Sequence, residues 1–247
     1  MSARSESPKV AGLGTRTRQP LGAAPRQPYV AHLGLVVLLC MVALSLPRTP
    51  VLPEALSVAV PAVAREPLQV VNKSRPLEPA SYAPPELIAA AGTALVPAAA
   101  TALAEMINAA ARDGVHVVAV SGYRSFDTQT RLYAGYTSRL GQAHTDELSA
   151  RPGFSEHQTG LAVDIGNPDA RCALQRCFAD TPAGSWAAAN SARFGFIIRY
   201  PEGASAVTGY DYEPWHLRYV GPESAAAIVQ GGLTLEAYEG LPAAPSY

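Results

Sequence analysis

Between Tyr29 and Leu46 the sequence runs YVAHLGLVVLLCMVALSL, eighteen residues without a formal charge. That is about the shortest α-helix able to cross a bilayer, and it is the only stretch of the chain that qualifies. The run divides the sequence into two parts of opposite charge. Residues 1 to 65 carry seven Lys and Arg against Glu6 and Glu54, which leaves twelve against eighteen for residues 66 to 247, so a formal net charge of −1 hides a tail of +5 and a body of −6. Basic residues ahead of an apolar span keep the preceding segment in the cytoplasm and put the remainder of the chain outside. A cleaved signal peptide is the competing reading, with Ala43, Leu44 and Ser45 as a cleavage triplet. Either way residues 47 to 247 are exported. Cys40, inside the run, reads as a passive apolar residue.

The acidic body lacks the clustered Lys and Arg that neutralise phosphates, which excludes nucleic acid as a partner. With 48% hydrophobic and 16% charged residues, the chain as a whole cannot be disordered. Residues 1–28, rich in Ser, Pro, Gly and Arg, read as a disordered cytoplasmic tail, 29–46 as a transmembrane helix or signal anchor, and 47–68 as a Pro/Ala-rich stalk. Residues 69–247 remain for one compact, monomeric domain.

Within that domain the Pro-studded segment 70–85 is expected to lie extended along the surface. Pro97 opens a helix that places Leu103, Met106, Ile107 and Ala110 at helical spacing and ends at Gly114. The β-branched run 115–120 predicts a buried strand emptying into Ser121, Gly122, Tyr123 and Arg124. A helix over 126–140, a loop to Ser155, a strand over 161–165, a helix over 185–194, strands over 196–199 and 212–219, and helices over 222–230 and 233–239 complete the reading. Helices first and short strands later predict an α+β fold, with a small antiparallel sheet flanked by helices, rather than a doubly wound parallel sheet. Cys172 and Cys177 share a loop of an exported domain, where oxidation is favoured, and predict a disulfide. A thiolate metal site would want two more soft ligands, which the neighbouring sequence lacks.

Two of the five histidines sit in structured settings. His157 opens a turn and Asp164 lies on the strand after it, so an imidazole nitrogen and a carboxylate oxygen can converge, a donor pair that suits Zn²⁺. His216 comes three residues after Glu213, with Pro214 between them arguing for an extended segment. A third ligand from His216 would leave a fourth position for water, with Glu213 free to act as general base. Each half also has a structural reading, as a hydrogen-bonded histidine or a turn cap. His32, His116 and His144 are assigned to packing or surface. Arg124 is either a surface ion-pair partner or, at a strand end facing a metal, a guanidinium that stabilises an oxyanion or grips a carboxylate.

The SGYRS motif at 121–125 with Gln129, the SxHxxGxAxD pattern at 155–164, FGFIIRYP at 194–201 and YEPWHLRYVG at 212–221 together resemble the VanY-type D-alanyl-D-alanine carboxypeptidases. These are zinc metallopeptidases of peptidoglycan, related to the D-Ala-D-Ala dipeptidases and to the hedgehog domain. The likeness extends over roughly residues 70–235, including the VNKSRPL opening and the CxxxxC loop. It implies that His157, Asp164 and His216 bind Zn²⁺, that Glu213 is the catalytic base and that Arg124 stabilises the tetrahedral intermediate. It also implies that Arg124, Gln129 and Ser155 contact a stem peptide ending in D-Ala-D-Ala, with water attacking at the zinc. The alternatives are a dipeptidase or endopeptidase on the same scaffold, with L,D or D,D specificity, or a metal-bearing binding module without catalysis.

Overall fold

The computed structural model describes residues 66–247. The basic tail, the uncharged run with His32 and Cys40, and most of the stalk lie outside the described residues. Among the described residues no helix is long and apolar enough to cross a membrane.

A hairpin comes first, β1 (Ile88–Ala90) and β2 (Thr93–Leu95). Its turn residues Ala91 and Gly92 have φ of 50° and 84°. Paired positive φ is the mirror-image turn that matches strand twist, but Ala-Gly lacks the Asn or Asp that would have announced it. Next comes helix α1 (Pro97–Arg112), with Pro97 in its first turn and Leu103, Met106 and Ala110 buried. Strand β3 (Val118–Ser121) leads into α2 (Phe126–Leu140), whose Ser125 cap accepts the Thr128 N–H at 3.3 Å, and then into α3 (Gln142–Leu148). After β4 (Ala162–Gly166) come α4 (Pro182–Asn190), β5 (Phe196–Ile198), α5 (Ser205–Thr208), β6 (His216–Tyr219), α6 (Pro222–Gly231) and α7 (Leu235–Tyr238).

The fold is α+β, as expected. Its main sheet has the order β3-β4-β6-β5 and every pair is antiparallel. Because side chains alternate along a strand, β4 sends Val163 and Ile165 to one face and Asp164 to the other. On β6, Leu217 opposes Val163, while His216 stands directly across from Asp164 and Arg218 across from Ala162. Val163, Ile165, Leu217 and Phe196 pack on α1 in the main core. The second face collects His216, Asp164 and Arg218. A smaller core of Val70, Ile197, Val220, Ala225, Ile228 and Leu235 lies beneath α6 and α7.

The structure corrects several expectations. Segment 70–85 is not superficial: Val71, Asn72 and Leu77 are buried, and the Leu77 N–H donates to Gly153. Just ahead of that segment lies the 3₁₀ turn Glu66–Leu68, where the Pro67 carbonyl accepts from Arg218 Nη2 at 3.1 Å. Strand β3 begins at Val118 rather than 115, because its partner β4 ends at Gly166, opposite Val118. The 185–194 helix starts earlier, since Thr181 caps it and Pro182 occupies its first turn, and a 3₁₀ turn replaces its end. Residues 212–215 are not a strand. The His216 N–H donates to the Glu213 carbonyl at 3.1 Å, closing a four-residue turn with Pro214 at its favoured second position. The hairpin and α3 have no counterpart among the elements that the sequence pattern predicts.

Candidate metal centre and active-site cleft

Strand β4 and strand β6 place Asp164 and His216 as cross-strand neighbours. The third member, His157, comes from the 3₁₀ turn Glu156–Thr159, which Gly160 ends with a φ of 71°. That left-handed conformation suits glycine and swings the chain into β4. The three residues are buried and offer donor atoms that all lie within 4.8 Å of one another. His157 Nε2 is 3.3 Å from Asp164 Oδ2, and His216 Nδ1 is 3.4 Å from Asp164 Oδ1. Tetrahedral coordination with bonds of roughly 2.0–2.1 Å sets ligand atoms about 3.3 Å apart, so these separations fit a small divalent ion.

The tautomer of His157 is set by the backbone. Its Nδ1 lies 2.7 Å from the Gly122 carbonyl oxygen, so Nδ1–H donates there and Nε2 is left as the donor toward a metal. Gly122 itself admits no side chain, because a Cβ would meet Thr93 Oγ1 and sit 2.8 Å from the Ala94 carbonyl oxygen of the hairpin. Asp164 Oδ1 is buried with no hydrogen-bond partner, which is the condition an ion would relieve. The local charge points the same way. Burial on its own would lift the Asp164 carboxyl, but His157, His216 and Arg124 hold it down to about 2. Burial would lower His216, yet the carboxylates of Glu156, Glu213 and Asp164 push it up to about 9. A pocket that stabilises a proton on this imidazole also stabilises a cation beside it.

Glu213 approaches from the turn before β6, with Oε2 3.4 Å from His216 Nδ1. It lines a cleft of about 1060 Å³ together with Arg124, Ser155, His157, Asp164 and His216. Arg124 donates from Nη1 to Gln129 Oε1 at 2.9 Å and from Nη2 to Ser121 Oγ at 3.0 Å. Both acceptors are neutral, and among the described residues no carboxylate is paired with this guanidinium. Burial depresses its pKa, while Asp164 and Glu213 support its charge. The rim includes the loop of Leu174 and Arg176, closed by the Cys172–Cys177 disulfide.

The structure thus gathers His157, Asp164, His216, Glu213, Arg124 and Ser155 around one cleft. Gln129 is different. It is fully buried and absent from the cleft wall: its amide nitrogen donates to the Ala150 carbonyl at 2.6 Å and to Ser149 at 3.2 Å, and its Oε1 accepts from Arg124. His116 is exposed, and His144 stands exposed at the rim beside Glu147. The sequence patterns give no role to Glu156, Arg199, Arg218 and Glu236. Glu156 Oε1 accepts from Arg199 Nε at 2.7 Å and from Arg218 Nη1 at 2.6 Å, and Glu236 takes both remaining Arg199 nitrogens at 2.6 and 3.0 Å. Burial would raise the Glu156 carboxyl, but the two arginines keep it well below the usual range.

Comparison with known proteins is consistent with this geometry. The family model for VanY, D-alanyl-D-alanine carboxypeptidase, matches residues 92–222. A D-alanyl-D-alanine carboxypeptidase of Enterococcus faecalis is 37% identical over 69% of this chain and 65% of its own length. Among the first relatives, the matched part spans 40 to 65% of their length. The structure of the LdcB LD-carboxypeptidase aligns with a TM-score of 0.66 at 39% identity, over 72% of this chain and 87% of that one. A point mutant of the vancomycin resistance D,D-pentapeptidase VanY in complex with Zn(II) aligns with a TM-score of 0.60 at 35% identity, over 70% and 99%. Family model, relatives and site geometry agree, and the chain belongs to the VanY family of D-alanyl-D-alanine carboxypeptidases.

Proposed function

We propose that this protein is a zinc D-alanyl-D-alanine carboxypeptidase that removes the terminal D-alanine from peptidoglycan stem peptides. The observation that carries the reading is Glu213: a carboxylate beside the His157, Asp164 and His216 donors yet outside that set, facing an open cleft. When bound, zinc supplies Lewis-acid activation of water and of the scissile carbonyl. Glu213 accepts the water's proton at its carboxylate and later gives it to the leaving amine. Arg124, held in place by Gln129 and Ser121 with its charge unpaired, binds the oxygen on which negative charge develops or the substrate's terminal carboxylate. Ser155 lines the cleft beside His157 and orients the peptide.

The likeness to an LD-carboxypeptidase supports a second reading, cleavage of the L,D bond. Incubating the full-length protein with synthetic pentapeptide and tetrapeptide stems and weighing the products separates the two. Pentapeptide shortened by one alanine supports D,D cleavage and a tripeptide product from tetrapeptide supports L,D cleavage. Loss of two residues at once would point to dipeptidase action, and no cleavage of either stem would leave metal binding without catalysis. We further propose that residues 29–46 export the domain, as anchor or cleaved signal, so protease added to intact spheroplasts should digest it.

A further inference from the structure

The proposed mechanism leaves one buried cluster unused. Glu156, Arg199, Arg218 and Glu236 are each 1% exposed or less, directly behind His216. Glu156 commits Oε1 to both arginines, while Oε2 points at His216 Nε2 from 3.7 Å. Those two atoms are both buried and both lack a hydrogen-bond partner. On the other side of the same imidazole, Nδ1 faces Asp164 Oδ1 and Glu213 Oε2, each at 3.4 Å. We propose that Glu156 is a positioning residue for the metal centre: its Oε2 accepts the His216 Nε2–H, which leaves Nδ1 as the ligand nitrogen. His157 reaches the opposite arrangement, since Gly122 takes its Nδ1–H and leaves Nε2. The two histidines therefore present different nitrogens to one ion, each fixed by a partner on its far side. The inference rests on the reading that His157, Asp164 and His216 hold zinc.

The arginines make the arrangement one-way. In Glu156→Gln the amide oxygen must stay on Arg199 and Arg218, which only donate, so the amide nitrogen faces His216. A donor there forces the lone pair onto Nε2 and the proton onto Nδ1, the wrong tautomer for binding. Zinc affinity of the full-length protein, measured by competition with a chelating dye, should fall about 10-fold to 100-fold, the usual effect of losing such an outer partner. Glu236→Gln disturbs the same cluster away from His216, and should lower the melting temperature while keeping wild-type zinc affinity. Equal loss of affinity in both variants would overturn the proposal and make Glu156 merely structural. Should Glu156→Gln fail to fold, the wild-type protein still decides. Histidine ¹⁵N spectra of the zinc-loaded chain should give His216 a protonated Nε2 and a metal-shifted Nδ1; the reverse assignment refutes the proposal. A wild-type chain that binds no zinc defeats the functional reading instead.

Discussion

Two groups of charge meet at His216 and differ in how they are matched. Behind it, Arg199 and Arg218 are met by Glu156 and Glu236, with Asn72 Nδ2 and the carbonyls of Pro67 and Gln69 occupying further positions. In front, Asp164, Glu213 and Arg124 face a cleft, Arg124 has only neutral acceptors, and Asp164 Oδ1 has no donor. Buried charge is tolerable where it is paired and hydrogen-bonded. The rear cluster meets that condition except at Glu156 Oε2, and holds the shape. The front cluster fails it at Asp164 Oδ1, which has no hydrogen-bond partner, and at Arg124, whose charge has no carboxylate partner, and both face the cleft.

The sharpest way to break this contrast is within the front cluster itself. Glu213→Gln should keep about one zinc per chain while D-alanine release falls about 10²-fold to 10⁴-fold, the usual worth of a positioned base. His216→Ala should lose metal and activity together, and near-normal release by Glu213→Gln would put the base elsewhere. In the rear cluster, Arg199→Met strands Glu236 in the interior, and urea unfolding should show a loss of about 3–5 kcal/mol. A loss no greater than that of an exposed pair would mean the cluster does not carry the fold. Arg124→Lys keeps the charge but not the planar fork, so zinc content should hold while kcat drops about 10²-fold to 10³-fold. The smallest effect belongs to the rim. Replacing Cys172 and Cys177 with serine should cost about 2 kcal/mol in the chain-entropy account of so short a loop, read as a shift in the denaturant midpoint.

How much of this is legible in the sequence depends on distance along the chain. Helices α1 and α2 start where expected because Pro97 and Ser125 are local markers. Short strands are harder to place, since where β3 begins is decided by the end of β4, some fifty residues on. His157, Asp164, Glu213 and His216 are legible as two compact motifs. Glu156 stands in plain view between Ser155 and His157, but its partners Arg199 and Arg218 lie 43 and 62 residues away, and no spacing rule connects them. Gln129 is legible as a residue of the site, yet only coordinates reveal that its amide is committed to Arg124 and to the end of α3. The Glu213 turn escapes the sequence because Pro214 excludes a helix interior but suits both an extended chain and the second position of a turn.

Gly122 has one further consequence, for reading tolerance maps of this protein. Its carbonyl orients His157, while the hairpin presses on it from the side where any Cβ would go. A saturation scan scored on the proposed carboxypeptidase activity would therefore return position 122 among the least permissive, beside the groups proposed to handle protons. Yet this residue has no side chain with which to act. Even alanine would push Thr93 and Ala94 outward and carry the carbonyl with the displaced backbone. An inventory of functional residues drawn from such a scan would count as chemistry what is here a clearance between two backbones.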